Sequence, residues 1–471
     1  MDNQTLEVKP KKFFKVPHVY VILLIVVAIC AVLTYIAPAG DYARVEGPGG
    51  RMIVDPTSFT YVDRTPVSLF GYLLSVPKGM AEVAEIIFFI FIVGGSFAVV
   101  QATGAIEAGL GKVTKLMVGR ERLIIPIVMV LFAFGGAVFG MAEETLPFIP
   151  IMVTLAIALG FDSITGAAIV LAGAGAGFTG AFMNPFTVGV AQGIAELPLF
   201  SGMGFRLVVF ALMVTLTTTF IYIYAGKVKK DPSRSLMYEY DKTREDVLDL
   251  SVLKELNVTR KIVLLVVAAT IALLIFGVMK YGWYIQEISG LFLGMAIVTG
   301  IIGRLGLSGT AEHLLIGMSG LAGGALVVGF ARAILIVLQE GHIMDTLLYT
   351  VSNAVAVLPS ILAAIGMYIF QCLLNFIVPS GSGQAAVSMP IMSPLSDLVG
   401  VTRQTAVLAY QFGDGISNIF TPTSGYFMAG LALAKIPWDK WAKWIIPLIL
   451  LQYLLGGILV TVAHAIQLGP F

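Results

Sequence analysis

Apolar runs long enough to cross a bilayer recur along the chain, separated by polar connections, and several of them are broken at their centres. The first run covers Val16 to Ile36 and is followed by "APAGDYARVEGPGGRMIVDPTSFTYVDRTP", a polar stretch rich in Gly, Pro and Asp that predicts an exposed loop with a small hairpin. Unbroken runs follow at Ala84–Ala102, Phe205–Tyr224, Ile262–Met279, Ile285–Ile302, Leu314–Leu338 and Trp444–Ala465. Each fits a transmembrane helix of roughly 20 residues. The broken regions are of two kinds. Leu123–Leu159 carries Gly135, Gly136, Gly140, Pro147 and Pro150 in its middle, and Ile361–Leu398 has the same character. Ile164–Leu199 is interrupted by "GAGAGFTGAFMNPFT" and Ala406–Leu433 by "DGISNIFTPTS". A hydrophilic stretch, Lys227 to Lys261, divides the chain in two.

The halves repeat. With a shift of ~240 residues, "FGMAEETLPFIPIMVTLAIALGFDSITGAA" lies over "PSGSGQAAVSMPIMSPLSDLVGVTRQTAVL". Pro150, Ile151 and Met152 then match Pro390, Ile391 and Met392, while Leu155, Gly160 and Thr165 match Leu395, Gly400 and Thr405. After a short gap Pro185 lies over Pro422. An odd number of crossings separates the copies, so they are expected to point opposite ways, and inverted repeats with broken helices mark secondary transporters. The expected architecture is an all-α polytopic membrane protein of the elevator type. It has two re-entrant helical hairpins, about 123–159 and 361–398, and two broken transmembrane helices, about 164–199 and 406–433. The first repeat takes residues 1–226, the linker 227–261, a connecting transmembrane helix 262–284, and the second repeat 285–471.

Composition agrees with this pattern. The chain of 471 residues is 58% hydrophobic and 12% charged, with a formal net charge of +1 and a mean hydropathy of +0.93. Soluble domains carry about 25% charged residues, so a bilayer is the main surrounding, and near-neutrality argues against nucleic acid as a partner. The run after "KPKKFFK" is of span length and lacks a small-residue cleavage site, so it is expected to remain as the first span. Cys30 and Cys372 lie in separate apolar segments and are expected to be packing residues rather than a disulfide. Alternate threading puts about 21 of the 29 Lys and Arg on the side of the amino terminus. That side is then cytoplasmic and the carboxyl end outside, as expected for a bacterial inner-membrane protein.

Irregular backbone at membrane depth is tolerated only when buried in protein or lining a wet cavity. The two hairpin tips, "GMAEET" and "PSGSGQ", and the two unwound segments are therefore expected to converge on one site. Ionisable groups there cost about 2.5–3.5 kcal/mol on insertion scales and mark solute or ion pathways. Of Glu143 and Glu144, one is expected to cap the second arm of the hairpin. The other is expected to meet a cation: a coupling Na⁺, a H⁺ or a substrate amine. Thr145 shares that tip. At the unwound segments, Asn184, Thr187, Ser417, Asn418, Thr421, Thr423 and Ser424 can bond a substrate carboxylate, and freed carbonyls suit Na⁺. Ser380, Gly381, Ser382 and Gln384 form the second tip, where backbone N–H groups can approach an anion. Asp414 is a candidate for the coupling cation or the amine. Arg332 is expected either to neutralise Glu143 or Glu144 or to hold a substrate carboxylate. Asp162 and Arg403 are expected to cap helices, and His313 and His342 to have no special role. No metal-ligand cluster, nucleophile elbow or phosphate loop stands out, which disfavours an enzyme and implies no cofactor beyond a coupling ion.

The hairpin repeats, "IAPAGDYARV…GRMIVDPTSFTYV", "GMAEET" and "FGDGISNIFTPTSG" together resemble the YfcC-like membrane proteins. These group with the anaerobic four-carbon dicarboxylate carriers of the ion transporter superfamily, beside basic amino acid antiporters of the arginine/ornithine type. The resemblance spans nearly the whole chain. It implies a homodimer with a fixed scaffold and a mobile transport domain, the scaffold including Val16–Ile36, Phe205–Tyr224, Ile285–Ile302 and Trp444–Ala465. Dicarboxylate carriers of the superfamily often use Ser-Asn-Thr triplets at both tips, where this chain has Ala-Glu-Glu-Thr at one. An acidic tip facing an N–H-rich tip suits an amino acid, basic ones included, better than a dianion. The expected function is thus a secondary transporter or antiporter of an amino acid, with a dicarboxylate carrier coupled to Na⁺ or H⁺, or an ion channel, as alternatives.

Overall fold

The computed structural model describes residues 19–46, 52–106, 108–109, 119–244, 255–281, 283 and 285–469. The basic residues Lys9–Lys15, Lys112 and Lys115, which weigh in the orientation argument, lie outside these. Among the described residues six helices are long and apolar enough to cross a membrane, and a bent seventh can be added. The protein is an integral membrane protein. Helix α1 (Val19–Ile36) shows the pattern: its Ile25, Ile29, Val32 and Ile36 are exposed, as suits a face toward lipid, while Leu23, Val27 and Cys30 pack inward. Both cysteines are free thiols.

The polar stretch after α1 forms two nested antiparallel pairs. β1 (Gly40–Asp41) pairs with β4 (Thr60–Tyr61), and inside them β2 (Arg44–Glu46) pairs with β3 (Met52–Val54). This flap is fastened to α13 (Met344–Ala356): the Asp345 carboxylate accepts the Tyr42 N–H at 2.9 Å and pairs with Arg44 at 2.9 Å. Phe59 also stacks on Tyr349 with centroids 4.0 Å apart.

The helices pack in two groups. In the first, α12 (Gly306–Glu340), bent by 41° near Gly323, lies against α1, α2 (Leu69–Glu82), α3 (Ala84–Ala102) and α11 (Ile285–Ile302). Helix α10 (Val258–Tyr281) joins through α11. The second group holds the broken regions. Its first half runs α4 (Ile124–Val138), a 3₁₀ turn at Glu143–Thr145, α5 (Phe148–Ala158), α6 (Ser163–Thr179), a π turn at Pro185–Gly189, α7 (Val190–Ile194) and α8 (Met203–Lys230). The same order recurs as α14 (Ser360–Asn375), α15 (Gly381–Leu398), α16 (Arg403–Ser417), α17 (Gly425–Ala434) and α18 (Trp438–Ala465). All of α6 except Phe178 is buried, which its Gly- and Ala-rich sequence permits by letting neighbouring backbones approach closely. After α6 ends, with Gly180 as its C-cap, Asn184 starts the π turn: its side chain accepts the N–H groups of Phe186 and Thr187, with Pro185 opening the turn.

The recurrence extends to local geometry. Gly160 and Gly400 both take the left-handed conformation, φ +82° and +71°, which a Cβ would strain. Two residues later Asp162 accepts the Thr165 N–H at 2.9 Å, and Thr402 accepts the Thr405 N–H at 3.3 Å. Asp162 therefore caps, as expected. The matching cap is Thr402 rather than Arg403, which pairs instead with Glu196 and Asp397. Where α6 crosses α16 the contacts are reciprocal. A Cβ on Gly175 would collide with Ile419, and one on Gly415 would fall 2.6 Å from Cα of Thr179. Such exchange of equivalent partners is what a local two-fold relation produces.

The first part of the linker, through Arg244, is docked against the helices. A 3₁₀ turn at Pro232–Arg234 leads to α9 (Tyr238–Lys242), and Met237 is fully buried. Asp162 accepts the hydroxyls of Tyr224 at 2.5 Å and Ser235 at 2.6 Å, and Asp241 accepts the Ser163 N–H at 3.0 Å. Arg244 pairs with Asp241 at 2.9 Å and donates to the Ala434 carbonyl at 2.5 Å. The strap thus touches α6 of the first half and the end of α17 in the second.

Several expectations need correction. α2 and α13 were not anticipated: α2 contains Pro77 and Lys78, and α13, "MDTLLYTVSNAVA", is amphipathic and short, so neither looks like a span. Helices α8 and α18, expected in the scaffold, pack against α4 and α6 and against α14 and α16, respectively. Each follows a broken helix directly and closes over the small-residue surfaces of its own half. The first interruption also begins later than expected, because "GAGAG" stays helical.

Candidate substrate site

A cavity of about 740 Å³ lies between the two groups of helices. One wall comes from the α2–α3 junction and α12, with Val83, Ile86, Val328, Ala331, Arg332 and Leu335, and Trp283 from the α10–α11 connection. The other wall holds both hairpin tips and both breaks, through Glu143 and Glu144, Ser380 to Ser382, Phe186 and Thr187, and Asn418, Thr423, Ser424 and Tyr426. The four irregular segments interlock. A Cβ on Gly140 would fall 2.6 Å from Oδ1 of Asn184, and one on Gly381 would fall 2.6 Å from Cγ2 of Thr187 and 3.0 Å from Oδ2 of Asp414. Thr145 and Tyr426 bring their hydroxyls to 3.4 Å, joining the first tip to α17.

At the first tip the two carboxylates differ. Glu144 is 5% exposed, and its Oε2 accepts the Ala142 N–H at 2.9 Å, which ties the turn back on itself. The expected cap on the second arm is absent: α5 starts at Pro147 with no side-chain cap. Glu143 faces the cavity from the same turn. At the second tip Ser380 caps α15 by accepting the Gly383 N–H at 3.4 Å. The first N–H groups of α15, an 18-residue helix, have no acceptor within the helix and leave its positive end at the cavity. Arg332 lines the opposite wall and forms its ion pair with Glu82 of α2, a helix that the sequence pattern did not disclose.

A polar layer centred on the fully buried Asp414 reaches the cavity wall through Thr187, Asn418 and Thr423. Asp414 Oδ1 accepts from Asn375 at 3.0 Å and from Asn418 at 2.7 Å. Asp414 Oδ2, the amide oxygens of Asn375 and Asn418, and the hydroxyls of Thr187, Thr421 and Thr423 have no hydrogen-bond partner among the described residues. Buried acceptors this numerous are unusual, since more than nine in ten such groups are normally paired. Other expected site residues also make structural hydrogen bonds around the site. Asn184 shapes the first break, and Gln384 bonds Asn375 and Gln371 to fasten α15 to α14. Ser417 meets the Tyr453 hydroxyl at 2.8 Å. Tyr426 and Trp283 were missed. Tyr426 sits just past the "TPTSG" break, which is a usable signal, whereas Trp283 lies in neither repeat.

The family of C4-dicarboxylate anaerobic carriers, DcuC, matches residues 16–465. The chain belongs to this family. Its relatives include an Escherichia coli K12 protein described as "Putative basic amino acid antiporter YfcC", 36% identical over 97% of this chain and 98% of that one. An uncharacterized protein of Haemophilus influenzae is 30% identical over 96% and 98% of the two chains. Among solved structures, the Alcanivorax borkumensis YdaH transporter aligns at 17% identity and a TM-score of 0.43, covering 96% of this chain and 100% of that one. MtrF of Neisseria gonorrhoeae, described as illuminating a class of antimetabolite efflux pumps, aligns at 16% and 0.40 over 95% of each chain. The DcuC member described here is accordingly a membrane protein of a transporter family, with its irregular segments gathered around one cavity.

Proposed function

We propose that the chain is a secondary active transporter or antiporter of a small carboxylate-bearing solute, foremost an amino acid and a basic one in particular, working by alternating access. The observation that carries this reading is the polarity of this cavity. Glu143 and Glu144 occupy one tip, and the positive end of α15 occupies the other. A zwitterion with a second amine satisfies both ends at once. The unpaired atoms around Asp414 are all oxygens, carboxylate, amide and hydroxyl, which suits a coupling Na⁺ or a proton carried by Asp414. The reciprocal crossing of α6 and α16 supports inverted repeats, and the position of the cavity between two helix groups supports an elevator-like movement of one against the other.

The family description and Arg332 favour a four-carbon dicarboxylate as the second reading. A dianion would face Glu143 and Glu144 unless Arg332 left Glu82 to receive it. Proteoliposomes loaded with unlabelled lysine, arginine or ornithine should accumulate the labelled solute by counterflow, and succinate-loaded vesicles should not. Imposed Na⁺ and pH gradients identify the coupling ion, and Asp414→Asn should remove that dependence. Counterflow with succinate alone would replace the amino acid by a dicarboxylate, and flux without counterflow would favour a channel.

A further inference from the structure

At the end of the bundle opposite the linker, Arg206 is buried with no counter-charge among the described residues. Arg206, one turn into α8, is 1% exposed. Its Nη2 donates a long hydrogen bond of 3.4 Å to Oε1 of Gln404 on α16. Its Nε and Nη1 meet no acceptor among the described residues. The nearby acids are already engaged: Glu196 and Asp397 each pair with Arg403 at 2.8 Å. The neighbouring amides offer no charge and are bonded among themselves. Gln192 donates to the Ser201 carbonyl at 2.9 Å, and Gln404 donates to the Ser201 hydroxyl at 2.5 Å.

Two helix amino termini add to this positive potential. Helix α8, 28 residues long, starts after Gly202 at φ +71° and has no side-chain cap. Gln404, which touches the guanidinium, is the second residue of α16. The first N–H groups of such helices are unsatisfied donors at the positive ends of their dipoles. A guanidinium withdrawn from water without a partner costs several times what one hydrogen bond returns. The arrangement asks for an anion.

We propose that this nest binds a small monovalent inorganic anion, chloride in the cell, held by Nε and Nη1 of Arg206 with the first N–H groups of α8. At 1% exposure the guanidinium is out of reach of a phosphate carried on a two-tailed lipid. One unpaired cation also calls for one negative charge rather than two. The anion joins the first turn of α8 to α16, fastening the two halves at the end that the linker strap does not reach.

Thermal unfolding of the purified full chain tests this. Transferred into sodium gluconate and titrated with sodium chloride or bromide at fixed ionic strength, the protein should gain a saturable rise in Tm of roughly 2 °C. Arg206→Gln should abolish that response while matching or exceeding the unsubstituted Tm in gluconate. Should that variant fail to fold, bromide-soaked crystals of the unsubstituted protein decide, with anomalous density expected beside the Arg206 guanidinium. The proposal is overturned if Tm ignores halide, if Arg206→Gln responds like the unsubstituted chain, or if bromide is absent from that position. A rise with phosphatidylglycerol but not with halide also overturns it.

Discussion

Glu143 and Glu144 are neighbours in the chain with different surroundings. Glu144 is nearly buried and holds its own turn through the Ala142 N–H, while Glu143 faces the cavity. Glu144→Gln keeps an acceptor but loses the charge-assisted part of that bond, worth about 1 kcal/mol. It should lower Tm and leave ion-coupled counterflow largely intact. Glu143→Gln should fold with an unchanged Tm and lose coupled uptake. If both variants transport with unchanged ion and pH dependence, neither carboxylate belongs to the transport cycle. Which residues are polar within lipid depth was legible in the sequence, because charge there is rare. What each one touches was not. Arg332 could not be assigned to Glu82 without knowing that α2 exists, and the acceptors around Asp414 come from α14, the π turn at Pro185–Gly189 and the break that ends α16.

Elements were legible where backbone chemistry marks them. Pro185 with Asn184, and the left-handed Gly160 and Gly400 followed by a capping side chain, announced the breaks and the helix starts. Short helices such as α13 left no such mark, since a helix packed on protein needs neither span length nor uniform apolarity. Orientation of the two hairpins is checked by labelling. A cysteine at Arg120, exposed before α4, should react with a membrane-impermeant thiol reagent from one side only. Cysteines at Val357 and Leu398, which flank the second hairpin and are 81% and 84% exposed, should react from the other. Labelling of all three from the same side would end the inverted-repeat reading. The linker has its own signature. Burial raises the carboxyl of Asp241 above the usual range despite Arg244. A carboxyl whose folded pKa is raised favours the docked state while protonated and loses that contribution as pH rises through it. Asp241→Asn should therefore slow amide exchange across residues 231–244 at neutral pH, and the difference should close as pH falls toward the carboxylate range. Faster exchange in the variant at neutral pH would show that the Arg244 pair outweighs burial.

At the scale of the whole molecule, the two helix groups meet where α17 lies against α3 and α12, beside the cavity. A Cβ on Gly425 would fall 2.9 Å from Cγ1 of Val328, close enough for a cysteine pair. Oxidising Val328→Cys with Gly425→Cys should stop turnover while solute still shifts Tm, and reduction should restore flux. Undiminished flux in the crosslinked protein would mean that the groups do not move past each other. The recurring order of helices and breaks was legible from the ~240-residue shift. The grouping was not, because apolar side chains do not name their partners: α8 and α18 look like any lipid-facing span. The docked strap carries a consequence for how the protein can be made. Residues 231–244 are the part of the linker that continues from the first half, yet Arg244 is gripped by the backbone of Ala434 and Lys435 in the second. The strap's grip on the second half is complete by Arg244, so a cut placed between 245 and 254 leaves it in place. Two genes, one ending within that interval and one beginning there, should yield polypeptides that find each other in the membrane and co-purify as an active carrier. Adding Arg244→Ala to the first should weaken their capture of one another.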